Sequence, residues 1–499
     1  ASRPVYATLL VPRSLAVSMK ILLLITFLTG LISQSQGQTV ESKIDKKDLK
    51  TFVKMLTSDS LQGRGTGTAG QQRAGRVISE RFRELGLHPY RQSSYFESFK
   101  LREIYWGQVY IKTQNNTLAN FENMVFQGGN PQNEEIEKEV VFAGAGTDEE
   151  LNAIEVKDRL VLVFVKNLRS SYDLNRKLAF RKASGVVIAN PEIEKQFTSI
   201  KNTFRDYSLQ KRLSFFDSDT IRNSYETWDT VRLINTITIP NSEIKNVAGS
   251  SLRELTRLMD EHKIEDAPIA IVKVKFERTQ NEIETANVVG VIKGKGSKSI
   301  VISAHYDHLG KVGNEFFPGA DDNASGTAAL LEIAEEFSQA KDLNYNIVFL
   351  ATTGEEAGLL GSLYHVNRPG FDPDQILCNL NLDMISRIDE KHGNGKYLYC
   401  IGTDQSTEME SLVREADTLF DKCSFDYSLN DSKDPTGLFR RSDNYSFYKR
   451  GITAIQFFSG LHADYHKPTD TVDKIDFGNL ENRVRQISLV VELLQSEGF

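Results

Sequence analysis

A chain of 499 residues with 40% hydrophobic and 25% charged side chains is too long for one compact core, and its composition excludes fibrous and disordered classes. The net charge of -7 argues against nucleic-acid binding, and the only cations before Glu41 (Arg3, Arg13, Lys20) lie in a stretch without carboxylates, so the remainder is more acidic still. Cys378, Cys400 and Cys423 are too few for a disulfide framework and lack metal-site spacing; one bridge between Cys400 and Cys423, or three free thiols, both suit the sequence.

Taken in chain order, Met19-Lys20 is followed by ILLLITFLTGLIS and the small polar run SQSQGQ, the pattern of an export signal that initiates at Met19 and is cleaved. The apolar run is too short and lacks the flanks for a spanning helix, and no lipid-anchor cysteine follows it. Residues 1–37 are therefore expected to be removed, leaving a secreted or periplasmic protein without stable membrane insertion.

Helices are predicted over 44–62 and 69–86, the second with Val77, Phe82 and Leu85 in helical phase. The intervening SLQGRGTGTAG has no strand before it, so it reads as a flexible connector rather than a phosphate loop. Phe96 to Gln114 is strand-like. A module over 118–266 follows, with strands in KEVVFAG, DRLVLVFV and SGVVIAN and a helix in KLAFRKA; it has no cluster of ligand type. Residues 272–293 return as paired strands.

The last part carries the clearer pattern. Strands are predicted at 287–294, 299–305, 346–353, 376–383, 396–402 and 452–458, with helices in ASGTAALLEIAEEFSQA, QSTEMESLVREADTLF and NLENRVRQISLVVELLQ. Unbroken apolar runs such as Ile347 to Ala351 suit strands buried on both faces, and the alternation argues for a three-layer α/β domain, a mixed sheet flanked by helices.

Polar clusters sit where these strands end. His305 closes one strand and Asp307, two residues on, is placed to fix its imidazole. Asp321 and Asp322 precede a helix, and two acids are more than a cap needs. Glu355 and Glu356 follow a fully apolar strand, Asp383 closes another, and His466 lies downstream. Like charges crowded at a dry sheet edge are costly unless a cation neutralises them. Imidazole plus carboxylate is a zinc-type donor set, with room for two ions sharing a carboxylate.

The segments SAHYDH, PGADDNASGTAALLEIA, TTGEEAGLLGS, LNLDMI, SDNYSF and ADYHKPTDT resemble those of the co-catalytic zinc aminopeptidases and glutamate carboxypeptidases, a metallopeptidase family that also contains transferrin receptors and glutaminyl cyclases. The match covers about 40–100 and 280–499, and 118–266 resembles the protease-associated domain inserted in such enzymes. The resemblance implies a zinc exopeptidase fold divided as 1–37 signal, 38–117 first part of the peptidase domain, 118–266 insert and 267–499 catalytic domain. It implies two zinc ions, with Asp321 bridging them, His305 and Asp383 completing one site and Glu356 and His466 the other. Glu355 would be the general base and Asp307 the partner of His305.

The implied activity is removal of N-terminal residues from peptides. Alternatives are a glutamate-carboxypeptidase-like enzyme and a non-enzymatic binding protein with a vestigial metal site. Tyr427 and Tyr445 are candidates for the oxyanion, and loops at 311–318, 424–441 and 457–465 for the pocket walls. Phe316, Phe317, Phe457 and Phe458 are candidate apolar lining, the last two also suiting the core. Arg440 and Arg441 either form a solvated basic turn or, if the pair reaches the site, favour a carboxypeptidase of acidic peptides. His308, His365, His392 and His462 read as ordinary polar residues. Side-chain specificity and oligomeric state are not set by the sequence.

Overall fold

The computed structural model describes residues 42–90, 93–165, 171–209, 212–215, 234–312, 314–430 and 436–496; the export signal read at 1–37 lies outside them. Helix α1 (Lys46–Leu56) begins at Asp45, whose side chain accepts the Lys47 N–H, and its periodicity puts Leu49, Val53 and Leu56 on one buried face. Helix α2 (Ala69–Glu84) is capped by Thr68 and buries Ala74, Ile78 and Phe82 in the same core.

The strands follow as β1 (Phe96–Lys112), β2 (Val125–Gln127), β3 (Gln132–Phe142), β4 (Leu160–Phe164), β5 (Gly185–Ala189), β6 (Asn235–Thr238) and β7 (Ala270–Ile292). Then come β8 (Ser299–His305), β9 (Asn346–Thr352), β10 (Ile376–Leu382), β11 (Tyr397–Ile401), β12 (Ser424–Asp426) and β13 (Ala454–Phe458). Their order is β12-β11-β13-β10-β8-β9-β7-β3-β4-β5-β6-β2, with β1 paired to β7 off this path.

The strand pair predicted over 272–293 is instead one 23-residue strand, β7. Its polar middle resembles a turn in sequence, yet Thr279–Glu284 pair with Tyr105–Lys100 of β1. The antiparallel ribbon β1/β7 thus carries the chain out to the module at 118–266 and back. In that module β3, β4, β5 and β6 run parallel, and their alternating side chains supply two apolar faces. Leu160, Leu162 and Val187 point to one core, Val161, Val163, Val186 and Ile188 to the other.

In the rest of the chain β9, β8, β10 and β13 are consecutive and parallel, so their carboxyl ends share one edge. Helices α3 (Gly326–Ser338), α4 (Thr407–Leu419) and α5 (Phe477–Ser496) pack Leu330, Ile333, Leu412, Val484 and Val491 into one core with α1 and α2. The three cysteines are buried free thiols, so the Cys400–Cys423 bridge is not formed. No helix among the described residues is long and apolar enough to cross a membrane.

Glu332 of α3 is a buried carboxyl that accepts the Asp45 N–H at 3.1 Å and links α3 to the cap of α1. Burial pushes its pKa up to about 7, the Asp45 bond opposing this only in part. A carboxyl that holds its proton more tightly when folded gives stability that is full below about pH 4.5 and lost as pH rises towards 7. Glu332→Gln keeps the acceptor and removes the charge. It is expected to be more stable than the wild type at pH 8, by about 1–3 kcal/mol, with the difference shrinking at pH 5; thermal scans at the two pH values read this as a higher unfolding temperature.

Candidate metal centre and active site

Because β8, β9, β10 and β13 end on one edge, the residues that follow them converge there, as ligands do in open α/β sheets. His305 is the last residue of β8, Glu355 and Glu356 follow β9, Asp383 follows β10, and the loop after β13 brings His466. His305 Nε2 lies 3.3 Å from Asp383 Oδ1 and 3.4 Å from Asp322 Oδ1. His466 Nε2 lies 3.2 Å from Asp322 Oδ2 and 3.1 Å from Glu356 Oε2. The two oxygens of Asp322 therefore face two separate groups of donors.

This corrects one assignment. The carboxylate between the two groups belongs to Asp322, whereas Asp321 points away from it. Asp321 Oδ1 accepts the Ser386 N–H at 2.9 Å, the Ser386 hydroxyl and the Ser325 hydroxyl, and its other oxygen is 3.2 Å from His462 Nε2. Asp470 accepts the backbone N–H groups of both Asp321 and Asp322, which fixes the turn with their side chains on different sides. Sequence adjacency hides this choice, since either acid of the pair satisfies the motif.

Asp307 also differs in detail. Its carbonyl oxygen, 3.2 Å from His305 Nδ1, is the group that orients the imidazole, while its carboxylate is 3.8 Å away. That carboxylate accepts the Thr66 hydroxyl at 2.6 Å and the Glu355 N–H at 3.4 Å, tying the β8 and β9 loops together. Thr66 belongs to the glycine-rich stretch read as a flexible connector. The stretch is instead packed under the site: Arg64, fully buried, donates to the carbonyls of Tyr306, Leu56, Pro318 and Gly319 at 2.6–3.0 Å. A Cβ at Gly63 would come within 2.5 Å of the carbonyl oxygens of Gly310 and Phe317, and Gly63 has φ +67, so only glycine fits this close approach. Arg64 thus joins the two loops that carry His305 and Asp322.

His308 and His462, read as ordinary polar residues, are both in the neighbourhood. His308 is buried and its Nδ1 lies 2.6 Å from Glu356 Oε1, a hydrogen-bond distance that leaves Oε2 of the same carboxylate to face His466. Its signal in the sequence is its place three residues after His305 in the same loop. Tyr427 and Tyr445 are not in the cleft: Tyr427 lies under the Arg414 guanidinium and Tyr445 stacks on Tyr448. The tyrosine on the cleft wall is Tyr465, whose ring stacks on His466 at 3.8 Å.

The cleft is lined by Asp322, Glu355, Asp383 and His466, by apolar Met384, Leu438, Phe458 and Leu461, and by Gln456. Phe457 is in the core, and Phe316 and Phe317, on a hairpin, are not among the lining residues. Arg441 lies on the cleft wall and Arg440 does not.

Electrostatics show how strongly this edge calls for positive charge. Burial disfavours the imidazolium of His466, yet Asp322 and Glu356 outweigh it and push the pKa up to about 10. His305 is raised well above its ordinary value against burial by Glu355 and Asp383. Burial, Glu356 and Asp383 push Glu355 well above the usual carboxylate range, whereas Glu356, despite its burial and its neighbour Asp322, is held down at about 2 by His308 and His466. Protons on the imidazoles supply the compensation that a divalent cation supplies more fully.

The donor spacing fits such ions. Four donors about 2.0–2.1 Å from a tetrahedral zinc are about 3.3 Å from each other. The pairs His305–Asp322, His305–Asp383, His466–Asp322 and His466–Glu356 span 3.1–3.4 Å. Among the described residues His305, Asp322 and Asp383 form one cluster able to hold a metal and His308, Asp322 and Glu356 another, with His466 beside the second. His308 with Glu356 is too close for two donors on one ion and suits a supporting hydrogen bond.

Residues 287–491 match the model of peptidase family M28. Among curated proteins, an aminopeptidase of Bacillus subtilis (strain 168), YwaD, is 29% identical over 222 residues, 42% of this chain and 44% of the relative. Leucine aminopeptidase 2 of Trichophyton rubrum is 27% identical over 265 residues, 48% of this chain and 49% of the relative. The chain spans about half the length of the curated relatives it matches. Solved structures share the fold: an aminopeptidase from Aneurinibacillus sp. strain AM-1 superimposes with a TM-score of 0.56 at 19% identity, covering 90% of this chain and 93% of the other. BSAP, a zinc aminopeptidase from Bacillus subtilis, gives 0.55 at 20% identity, covering 90% and 95%. The mixed sheet flanked by helices is therefore the zinc aminopeptidase fold.

Proposed function

We propose that this chain is an exported two-zinc exopeptidase that removes N-terminal residues from peptides. The observation that carries the reading is the pair of donor groups sharing Asp322, with His305 and Asp383 on one side and Glu356 and His466 on the other. Asp322 takes the bridging role first expected of Asp321. Zinc held there would supply Lewis acidity, polarising the peptide carbonyl and easing deprotonation of the attacking water.

Glu355 is the group for proton transfer. It lies beside the metal donors, its Oε2 4.0 Å from His305 Nε2, and its basicity is raised while that of Glu356 is lowered. Two neighbouring carboxylates pushed in opposite directions take different tasks, one moving protons and the other remaining ionised. Glu355 accepts the proton of the water and returns it to the leaving amine. Asp307 and Thr66 hold the backbone of Glu355 in place through the Asp307 carboxylate. A free N-terminal amine is drawn to the carboxylates of the cleft, and the first side chain meets Met384, Leu438, Phe458 and Leu461. Blocking that amine should make a poor substrate.

Arg441 on the cleft wall favours a second reading, a carboxypeptidase of acidic peptides, although Arg440 does not join it. Hydrolysis of aminoacyl-anilides, N-acetylated peptides and peptides ending in glutamate, with and without a chelator, separates these. Chelator-sensitive cleavage of the free-amine substrates alone supports the aminopeptidase. Cleavage of the N-acetylated acidic peptides alone supports the carboxypeptidase, and no turnover of any by zinc-loaded protein supports a binding protein with a vestigial site.

A further inference from the structure

The cleft has an unusual distribution of charge. Three carboxylates, Asp322, Glu355 and Asp383, share its lining with apolar Met384, Leu438, Phe458 and Leu461, with Gln456 and Tyr465, and with one guanidinium, Arg441. Arg441 follows the single turn Leu438–Arg440, and its N–H donates to the Leu438 carbonyl at 3.0 Å. The next residue, Ser442, is buried and accepts from Asn381 at 2.7 Å, so the backbone that presents Arg441 is anchored to β10. The residue is exposed, and among the described residues its side chain makes one hydrogen bond, from Nη2 to the Tyr465 hydroxyl at 3.1 Å, beside the Tyr465 ring. Among the described residues no carboxylate comes within ion-pair distance of it, although a guanidinium carries five N–H donors in a fork suited to one.

We propose that Arg441 binds a carboxylate of the substrate, so that the cleft selects peptides carrying negative charge close to the scissile bond. This rests on the aminopeptidase reading above. A molecule that carries both an amine and a carboxylate finds a partner of opposite charge for each within the lining of the cleft. The carboxylate has two sources: the free C-terminus of a dipeptide, or the side chain of an acidic N-terminal residue. Tyr465, stacked on His466 and bonded to Arg441, orients the guanidinium relative to the donors.

The test compares matched pairs with the zinc-loaded full chain. One arm is Leu-Gly against Leu-Gly-amide, the other Glu-anilide against Gln-anilide. In at least one arm the carboxylate member should have a kcat/KM about tenfold or more above its neutral partner, expressed in KM. The arm that shows it identifies the source. Arg441→Gln should abolish that ratio and Arg441→Lys restore part of it, whereas a merely structural role would lower both members of a pair alike. Ratios near one in both arms of the wild type, or a preference that survives Arg441→Gln, overturn the proposal. If no free-amine substrate is turned over, the aminopeptidase reading falls; calorimetric titration of the same peptides then still reports whether binding prefers the carboxylate and whether Arg441→Gln removes that preference.

Discussion

Glu355→Gln is expected to lower kcat by on the order of 10²–10⁴-fold while leaving zinc content at the wild-type value. Glutamine keeps the size and the acceptor oxygen of the side chain but cannot take the proton of the attacking water. The donors assigned to zinc are the two imidazoles, Asp322, Glu356 and Asp383, so removing the charge of Glu355 takes no ligand away. KM for a free-amine substrate should change far less than kcat. A variant that keeps more than a tenth of wild-type kcat would show that the proton is moved by another group.

The second large effect separates two adjacent aspartates. Asp322→Asn should lose most bound zinc and activity by more than 10³-fold, because one residue serves both donor groups and an amide is a weak zinc ligand. Asp321→Asn should retain the metal and instead lower stability by about 1–3 kcal/mol, since its carboxylate is a hydrogen-bonded anchor for Ser325 and Ser386. Zinc content and thermal unfolding of the two variants measure this. Loss of metal from the Asp321 variant with retention in the Asp322 variant would return the bridge to Asp321.

Much of the carboxy-terminal part, from β8 onwards, was legible because its signals are local. Apolar runs such as those ending at His305 and Thr352 read as buried strands, and acids at their ends are costly enough to mark an edge. The sequence therefore pointed to His305, Glu355, Glu356, Asp383 and His466. What it hid depends on direction and on distant partners. Asp321 and Asp322 differ only in which way a turn held by Asp470 sends each side chain. Arg64 looked like part of a glycine-rich connector because its carbonyl partners lie up to 255 positions away. Tyr465 ends the 457–465 loop that the sequence marks as a pocket wall, but its use comes from stacking on its neighbour His466 rather than from a motif. β7 reads as two strands in the sequence because the mostly polar Thr279–Glu284 have the composition of a turn; only pairing with β1 shows that they continue a strand.

The central claim is that Asp322 sits between two divalent cations. Elemental analysis of protein prepared without chelator, with zinc titrated back into stripped protein, tests it most directly. The prediction is ~2 zinc ions per chain, with activity returning in step with occupancy. Fewer than one ion per chain at saturating zinc, with folding and turnover indifferent to the metal, would contradict it.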